Sequence, residues 1–152
     1  MRLLLQRVSH ASVVVDGQTT GSIGEGLLAF VGLSRTDTEK LFQPALDKII
    51  NLRIFNDEAG KMNRSLLDTG GGLLLVSQFT LYADARKGRR PSYINAMPPE
   101  EAEALFGKFV QFARANFSGP VGEGRFGAFM EVSLRNDGPV TIWLDSAEMG
   151  WD

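Results

Sequence analysis

The sequence predicts an α/β fold of the α+β type, with a mostly antiparallel or mixed sheet of about seven strands and two main helices. Three observations point there. Alternating or continuous apolar runs of strand length fill both ends of the chain, two stretches carry helical spacing, and turn residues separate them at short intervals. The 152 residues fit one domain, 1–152. A chain of this length buries roughly two-thirds of its unfolded surface and needs no staple. With 43% hydrophobic and 22% charged residues, the composition is that of a packed globular protein.

The elements follow in order. Met1 to Val8 is apolar and suited to a strand, and Ser12 to Val15 leads into Asp16-Gly17, a strong two-residue hairpin signal. Gln18 to Ile23 is the returning strand. Gly26 to Leu33 is continuously apolar, as expected of a strand buried on both faces. Thr36 and Glu39 have the spacing of a capping box, and Leu41, Phe42, Ala45, Leu46, Ile49 and Ile50 form a helical stripe after them. Pro44 lies within that stripe, so the helix is expected to kink there or to start late. Leu52 to Phe55 suits a short strand, and Asn56 to Thr69 an ordered loop with one helical turn. After Gly70-Gly71-Gly72, Leu73 to Val76 reads as a buried strand running on through Ser77 to Tyr82. Pro98-Pro99-Glu100-Glu101 starts a helix, with proline in the first turn and acids at the positive dipole end. Leu105, Phe106, Phe109, Val110 and Ala113 give its core stripe, and Gly119-Pro120 stops it. Ala128 to Arg135 and Val140 to Asp145 alternate as strands, with Asn136-Asp137-Gly138-Pro139 read as the hairpin turn between them. Ser146 to Asp152 reads as a frayed tail of uncertain order, with Trp151 as the residue that would dock.

Several chemistries are excluded. With no cysteine, the chain has no disulfide, no thiolate nucleophile and no cysteine-ligated zinc. His10 is the one histidine, which leaves a single candidate for a histidine-based triad and no two-histidine metal site. No metal and no cofactor is expected. The apolar runs are too short to span a membrane, and the opening residues turn polar too early for a signal peptide, so a cytoplasmic location is expected. The net charge of −2 argues against a protein that grips duplex DNA. One segment departs from that balance: Arg86-Lys87-Gly88-Arg89-Arg90 carries four cations in five positions.

Each motif has a plain reading beside the functional one. His10 lies next to Ser9 and Ser12, but a Ser-His pair needs an orienting carboxylate that the sequence does not supply, and a surface histidine is the simpler reading. The triglycine forms neither a phosphate loop nor a dinucleotide fingerprint and reads as a turn. Ser77 to Tyr82 admits two readings, polar side chains at a pocket mouth or an alternating strand facing water. The Arg86 to Arg90 segment, taken alone, reads as a solvated loop. At Gly138-Pro139 a cis bond costs only ~0.5–1 kcal/mol and would aim two successive carbonyls the same way, suited to an ammonium group.

Four stretches taken together resemble the D-aminoacyl-tRNA deacylase family, also called D-tyrosyl-tRNA deacylase, up to about Asp145. They are Gln6 to Val13, the SQFTL motif at Ser77 to Leu81, a GxFGAxM stretch from Gly124 to Met130, and NxGPxT from Asn136 to Thr141. The resemblance implies a homodimeric hydrolase that cleaves the ester between a D-amino acid and the 3′ end of tRNA, and that also accepts glycyl-tRNA. It implies a pocket at the subunit interface, with Ser77, Gln78, Phe79 and Thr80 of one subunit as its floor. Gly138-Pro139 of the partner, in cis, would select chirality, and Met130 and Phe126 would complete the substrate-binding wall. An aminoacyl ester is already activated, so positioning and oxyanion stabilisation by backbone N–H groups around Gln78 to Thr80 can suffice. Thr80 is then a nucleophile or a positioning hydroxyl, and the 2′-hydroxyl of the RNA is a further source of assistance. Arg86, Lys87, Arg89 and Arg90 become candidate contacts to the aminoacyl end of tRNA. Two competing functions remain: a small-molecule esterase using Ser77 or Thr80 with His10 as base, and a non-catalytic RNA-binding module.

Overall fold

The computed structural model describes residues 1–151. Its spine is one long strand, β1 (Arg2–Val15), which turns at Asp16-Gly17 into β2 (Gln18–Ile23). Both turn residues have positive φ, 50° and 76°, which is the geometry a two-residue hairpin demands and the reason Asp-Gly stands there. The two strands expected for 1–15 are thus one, and His10 lies within it rather than between strands.

β3 (Gly26–Gly32) runs antiparallel to the first half of β1. β6 (Gly72–Ser77) and β7 (Val121–Glu123) then add in parallel, giving the order β2-β1-β3-β6-β7. β8 (Glu131–Asp145) runs antiparallel along the other side of β1 for its whole length, so the sheet is mixed. The sheet curls until its ends meet: a Cβ at Gly21 of β2 would lie 2.3 Å from the Glu123 carbonyl oxygen of β7. Only glycine allows that approach. Between β3 and β6, β4 (Phe55–Asn56) and β5 (Met62–Arg64) form a small separate ribbon.

The helices cover one face. α1 (Phe42–Asn51) starts late, after a 3-10 turn at Glu39–Leu41, so Pro44 falls in its first turn, where it removes no intrahelical bond. The Thr36–Glu39 capping box does not form. Thr38 stands at the N-cap of the 3-10 turn without a side-chain bond, and Asp37 is occupied elsewhere. Its carboxylate accepts from the Ser34 N–H at 2.8 Å and from the Met1 amino group at 2.6 Å, and the Ser146 hydroxyl takes a further bond from that amine at 2.7 Å. Burial outweighs these partners and lowers the amine pKa. The capping box that does form belongs to the short α2 (Leu66–Thr69), between Ser65 and Asp68.

α3 (Pro99–Asn116) begins at the expected prolines and buries Ala102, Phe106, Phe109, Val110 and Ala113. These pack with Leu46 and Ile49 of α1 on Leu3, Leu5, Leu27, Ala29, Leu73 and Leu75 of the sheet. The intervening residues Leu28, Leu74 and Val76 join a second core on the opposite face with Val8, Val13 and Ile23. β3 and β6 are therefore buried on both faces, which is why their sequences are apolar without alternation. The tail is not frayed: Ser146–Met149 forms α4, the Trp151 N–H donates to the Ser146 carbonyl, and the indole packs on the first core. Asp152 lies outside the described residues.

Candidate active site

The floor of the site is set by where β6 stops. The strand ends at Ser77, and Phe79–Tyr82 coil into a 3-10 turn rather than continuing as a strand. The change of backbone explains the change of sequence: apolar side chains are required only up to the point where the strand leaves the two cores. The Gln78 N–H remains tied to the Val31 carbonyl at 2.8 Å. It is thus committed to the sheet, while the N–H groups of Phe79 and Thr80 open the turn. Donors in the first turn of a helical segment have no intrahelical partner. The candidate oxyanion donors narrow from three to these two.

Above this strand end lies a cavity of about 710 Å³. Ser77, Gln78 and Phe79 form one side; Phe126, Ala128 and Met130 form another; Met97 and Ala102 close a third. The lining is mostly apolar, with few polar groups to orient a ligand, as in many small-molecule sites. The residues from Tyr93 to Met97 reach it because the Met97 N–H bonds the Leu33 carbonyl at 2.9 Å and Ser34 bridges to Ala96. Nothing in the sequence marks Tyr93, Met97 or Arg35 as lining residues, since their placement follows from those two long-range pairings. Thr80 stands outside the lining, exposed, with its hydroxyl accepting a hydrogen bond from the Gln78 side-chain amide. His10 pairs opposite Arg135 on the β1–β8 ladder and does not line the cavity. Among the described residues, no cluster of His, Asp and Glu is placed to hold a metal.

Gly138 and Pro139 lie elsewhere. The segment Asn136–Pro139 is not a hairpin turn: β8 continues through it, with Val8 opposite Asn136 and Gln6 opposite Thr141. Three extra residues of β8 must therefore bulge out from the ladder, and they carry an exposed Gly138-Pro139 tip with a cis bond. The half-buried ladder on either side hides the excursion from a reading based on turn residues alone. Arg7, buried beneath the tip, holds it. Its Nε pairs with the Asp137 carboxylate at 3.0 Å, and its Nη1 donates to the Ile54 carbonyl at 2.7 Å. The tip's φ of +118° at Gly138 suits glycine, and a Cβ there would fall 2.9 Å from Arg7 Nη2. Arg7 was legible only as part of the Gln6 to Val13 stretch, with no sign of this task.

The basic segment is a closed loop. Asp84 and Ser92 exchange backbone hydrogen bonds at 2.8 and 2.9 Å, and the residues between them are carried as a tip. Arg86, though exposed, pairs with Asp84, with its Nε 2.9 Å from that carboxylate, and holds the Asp84 pKa at about 2. Arg86 is therefore partnered within the loop, and Lys87, Arg89 and Arg90 are exposed.

Comparison with known proteins places the chain in a family. Residues 4–145 match the family model described as D-Tyr-tRNA(Tyr) deacylase. A D-aminoacyl-tRNA deacylase of Thermomicrobium roseum is 60% identical over 149 residues, 98% of this chain and 96% of that protein. One from Stenotrophomonas maltophilia is 58% identical over 144 residues, 95% of this chain and 99% of that one. Among solved structures, a c-Myc DNA unwinding element binding protein superposes with a TM-score of 0.91 at 42% identity, covering 96% of this chain and 99% of that one. A probable eukaryotic D-amino acid tRNA deacylase shares the fold, with a TM-score of 0.78 at 20% identity over 94% of this chain and 97% of that one. With the matched family model spanning both the strand-end cavity and the bulged tip, the chain belongs to the D-Tyr-tRNA(Tyr) deacylase family.

Proposed function

We infer that the protein hydrolyses the ester of D-aminoacyl-tRNA, releasing the D-amino acid and the tRNA, and so proofreads chirality in translation. The observation that carries this is the family match across the whole of the cavity-forming chain. The cavity adds chemical sense. It is apolar, Ser77, Gln78 and Phe79 line its floor where the 3-10 turn opens, and its lining carries no histidine to act as base. An activated ester needs little more than orientation and a stabilised oxyanion. Attack by water is favoured over attack by Thr80, because an unassisted hydroxyl is a poor nucleophile at neutral pH. The Thr80 hydroxyl has Gln78 as its partner, not a base. The 2′-hydroxyl of the terminal ribose is the natural group to help activate that water. The esterase reading, with His10 as base, is not favoured, since His10 does not line the cavity.

The site is shared between two copies of the chain. Support comes from position: Gly138 and Pro139 do not line their own chain's cavity, yet they are exposed and rigidly backed by Arg7. A tip so placed can serve the cavity of a second copy, and two-fold symmetry makes the exchange mutual. Phe126, Met130 and Phe79 then form the apolar wall, and the partner's tip meets the substrate's amino group and bars an L side chain. Glycine, with no side chain to bar, is accepted. The test is deacylation of matched D- and L-aminoacyl-tRNA. Ester loss much faster for the D form is expected, and equal rates for the two enantiomers of one amino acid would refute the reading.

A further inference from the structure

The cavity, at about 710 Å³, suits a ligand the size of one aminoacylated nucleoside. The nucleotides that precede it in an RNA strand must therefore leave over the rim. One sector of that rim differs from the rest. Phe79, 56% exposed, and Tyr93, 38% exposed, meet edge to face with ring centroids 5.0 Å apart. Beside them Ile94 is 71% exposed. Arg35 Nε donates to the Ile94 carbonyl at 2.9 Å, and among the described residues Arg35 makes no ion pair. Arg35 is exposed and lines the same side of the cavity as Tyr93.

The same sector is continuous with the basic loop. The Asp84–Ser92 bridge closes that loop and delivers the chain directly to Tyr93 and Ile94. Lys87, Arg89 and Arg90 are exposed on it and, among the described residues, unpaired. Large apolar side chains left open to water beside unpaired cations suit a flexible polyanion with flat faces. Bases stack on the aromatics while phosphates meet the guanidinium and ammonium groups. On a chain with a net charge of −2, this local excess of positive charge singles out an anionic occupant.

We propose that Phe79, Tyr93, Ile94 and Arg35 form a stacking subsite for the unpaired nucleotide that precedes the aminoacylated one. Lys87, Arg89 and Arg90 follow the phosphates further along the strand. The inference rests on the deacylase reading and adds where the enzyme grips the RNA outside the cavity.

Two D-aminoacyl substrates of different length test it, an aminoacyl-adenosine and the trinucleotide that ends the acceptor strand. For the unmodified protein, kcat/KM for the trinucleotide should exceed that for the nucleoside by roughly tenfold or more, the scale of base–aromatic stacking. Tyr93→Ala should lower that ratio several-fold, and Tyr93→Trp should keep it. Taking the ratio within each variant removes any change in folding or in the cavity itself. A ratio of one in the unmodified protein overturns the subsite, as does a ratio that Tyr93→Ala leaves intact; the aromatic edge would then be covered by a second copy of the chain. Loss of D over L preference on both substrates would instead overturn the deacylase reading, so the two failures are distinguishable.

Discussion

Arg7 is one of few charged residues buried among the described residues, and its guanidinium ties the exposed tip at Asp137 to the Ile54 carbonyl. Gly138 is the tip's other constraint. A methyl group at Gly138 requires a backbone region that L residues rarely adopt and a shift of the guanidinium beneath it. Gly138→Ala is therefore expected to lower D-aminoacyl-tRNA turnover by at least tenfold while leaving thermal unfolding within a few degrees of the parent, which kinetics and calorimetry would check together. Thr80 is expected to behave oppositely. A positioning hydroxyl is worth far less than a nucleophile, whose removal removes several orders of magnitude of rate. Thr80→Ala should keep substantial D-selective activity, whereas a tRNA ending in a 2′-deoxy ribose should react poorly. Full loss in Thr80→Ala with normal turnover of the deoxy substrate would make Thr80 the nucleophile.

Among the elements, the loop from Asp84 to Ser92 has the clearest electrostatic behaviour. Replacing Arg89 and Arg90 by Ala should raise the apparent KM for tRNA and flatten its dependence on salt, because fewer counterions are released on binding. An unchanged slope would place these residues outside the interface. The loop should keep its shape in mild acid. The Asp84 carboxyl is held below its ordinary value, so the pairing with Arg86 is present above that value and is lost only as pH falls through about 2. Amide chemical shifts of residues 84–92 followed from neutral pH to about pH 3 should stay nearly constant. Elements of this kind were readable to different depths. The Asp16-Gly17 hairpin, the two-faced burial of β3 and β6, and the proline start of α3 follow from local pattern, and each stands as the pattern implies. Two elements misled for a common reason. The continuity of β1 through His10 and the bulge of β8 at Gly138 are decided by pairing with strands far away in sequence. The turn after Ser77 instead marks where β6 leaves the sheet. Local propensity at Asn136 to Pro139 does favour a turn, and the ladder to β1 overrides it. The cavity was legible at Ser77 to Phe79 and at Phe126 and Met130, which share motifs. It was not legible at Arg35 or Tyr93, which arrive through the long-range pairings of Leu33 with Met97 and of Ser34 with Ala96.

For the whole molecule, the separation of floor and tip within one chain makes a direct prediction about assembly. Under the proposed shared site, Gly138→Ala spoils the donated tip, and a cavity-filling change such as Ala128→Trp spoils the cavity that receives it. Each variant alone should be nearly inactive. Mixed and reassembled, they should regain activity, since one of the two sites in each mixed dimer combines an intact floor with an intact tip. No recovery on mixing, with the mixed dimer verified by mass, would mean that each chain completes its own site. The topology has a further outcome for the chain as it is made. β1 comes first, yet the strand that lines its whole second edge, Glu131–Asp145, comes last. Until the final segment leaves the ribosome, fourteen residues of strand present an open row of donors and acceptors. Such an edge recruits whatever strand it meets. Fragments truncated anywhere before Glu131 are thus the aggregation-prone species of this protein, and only completion of the last strand closes that edge.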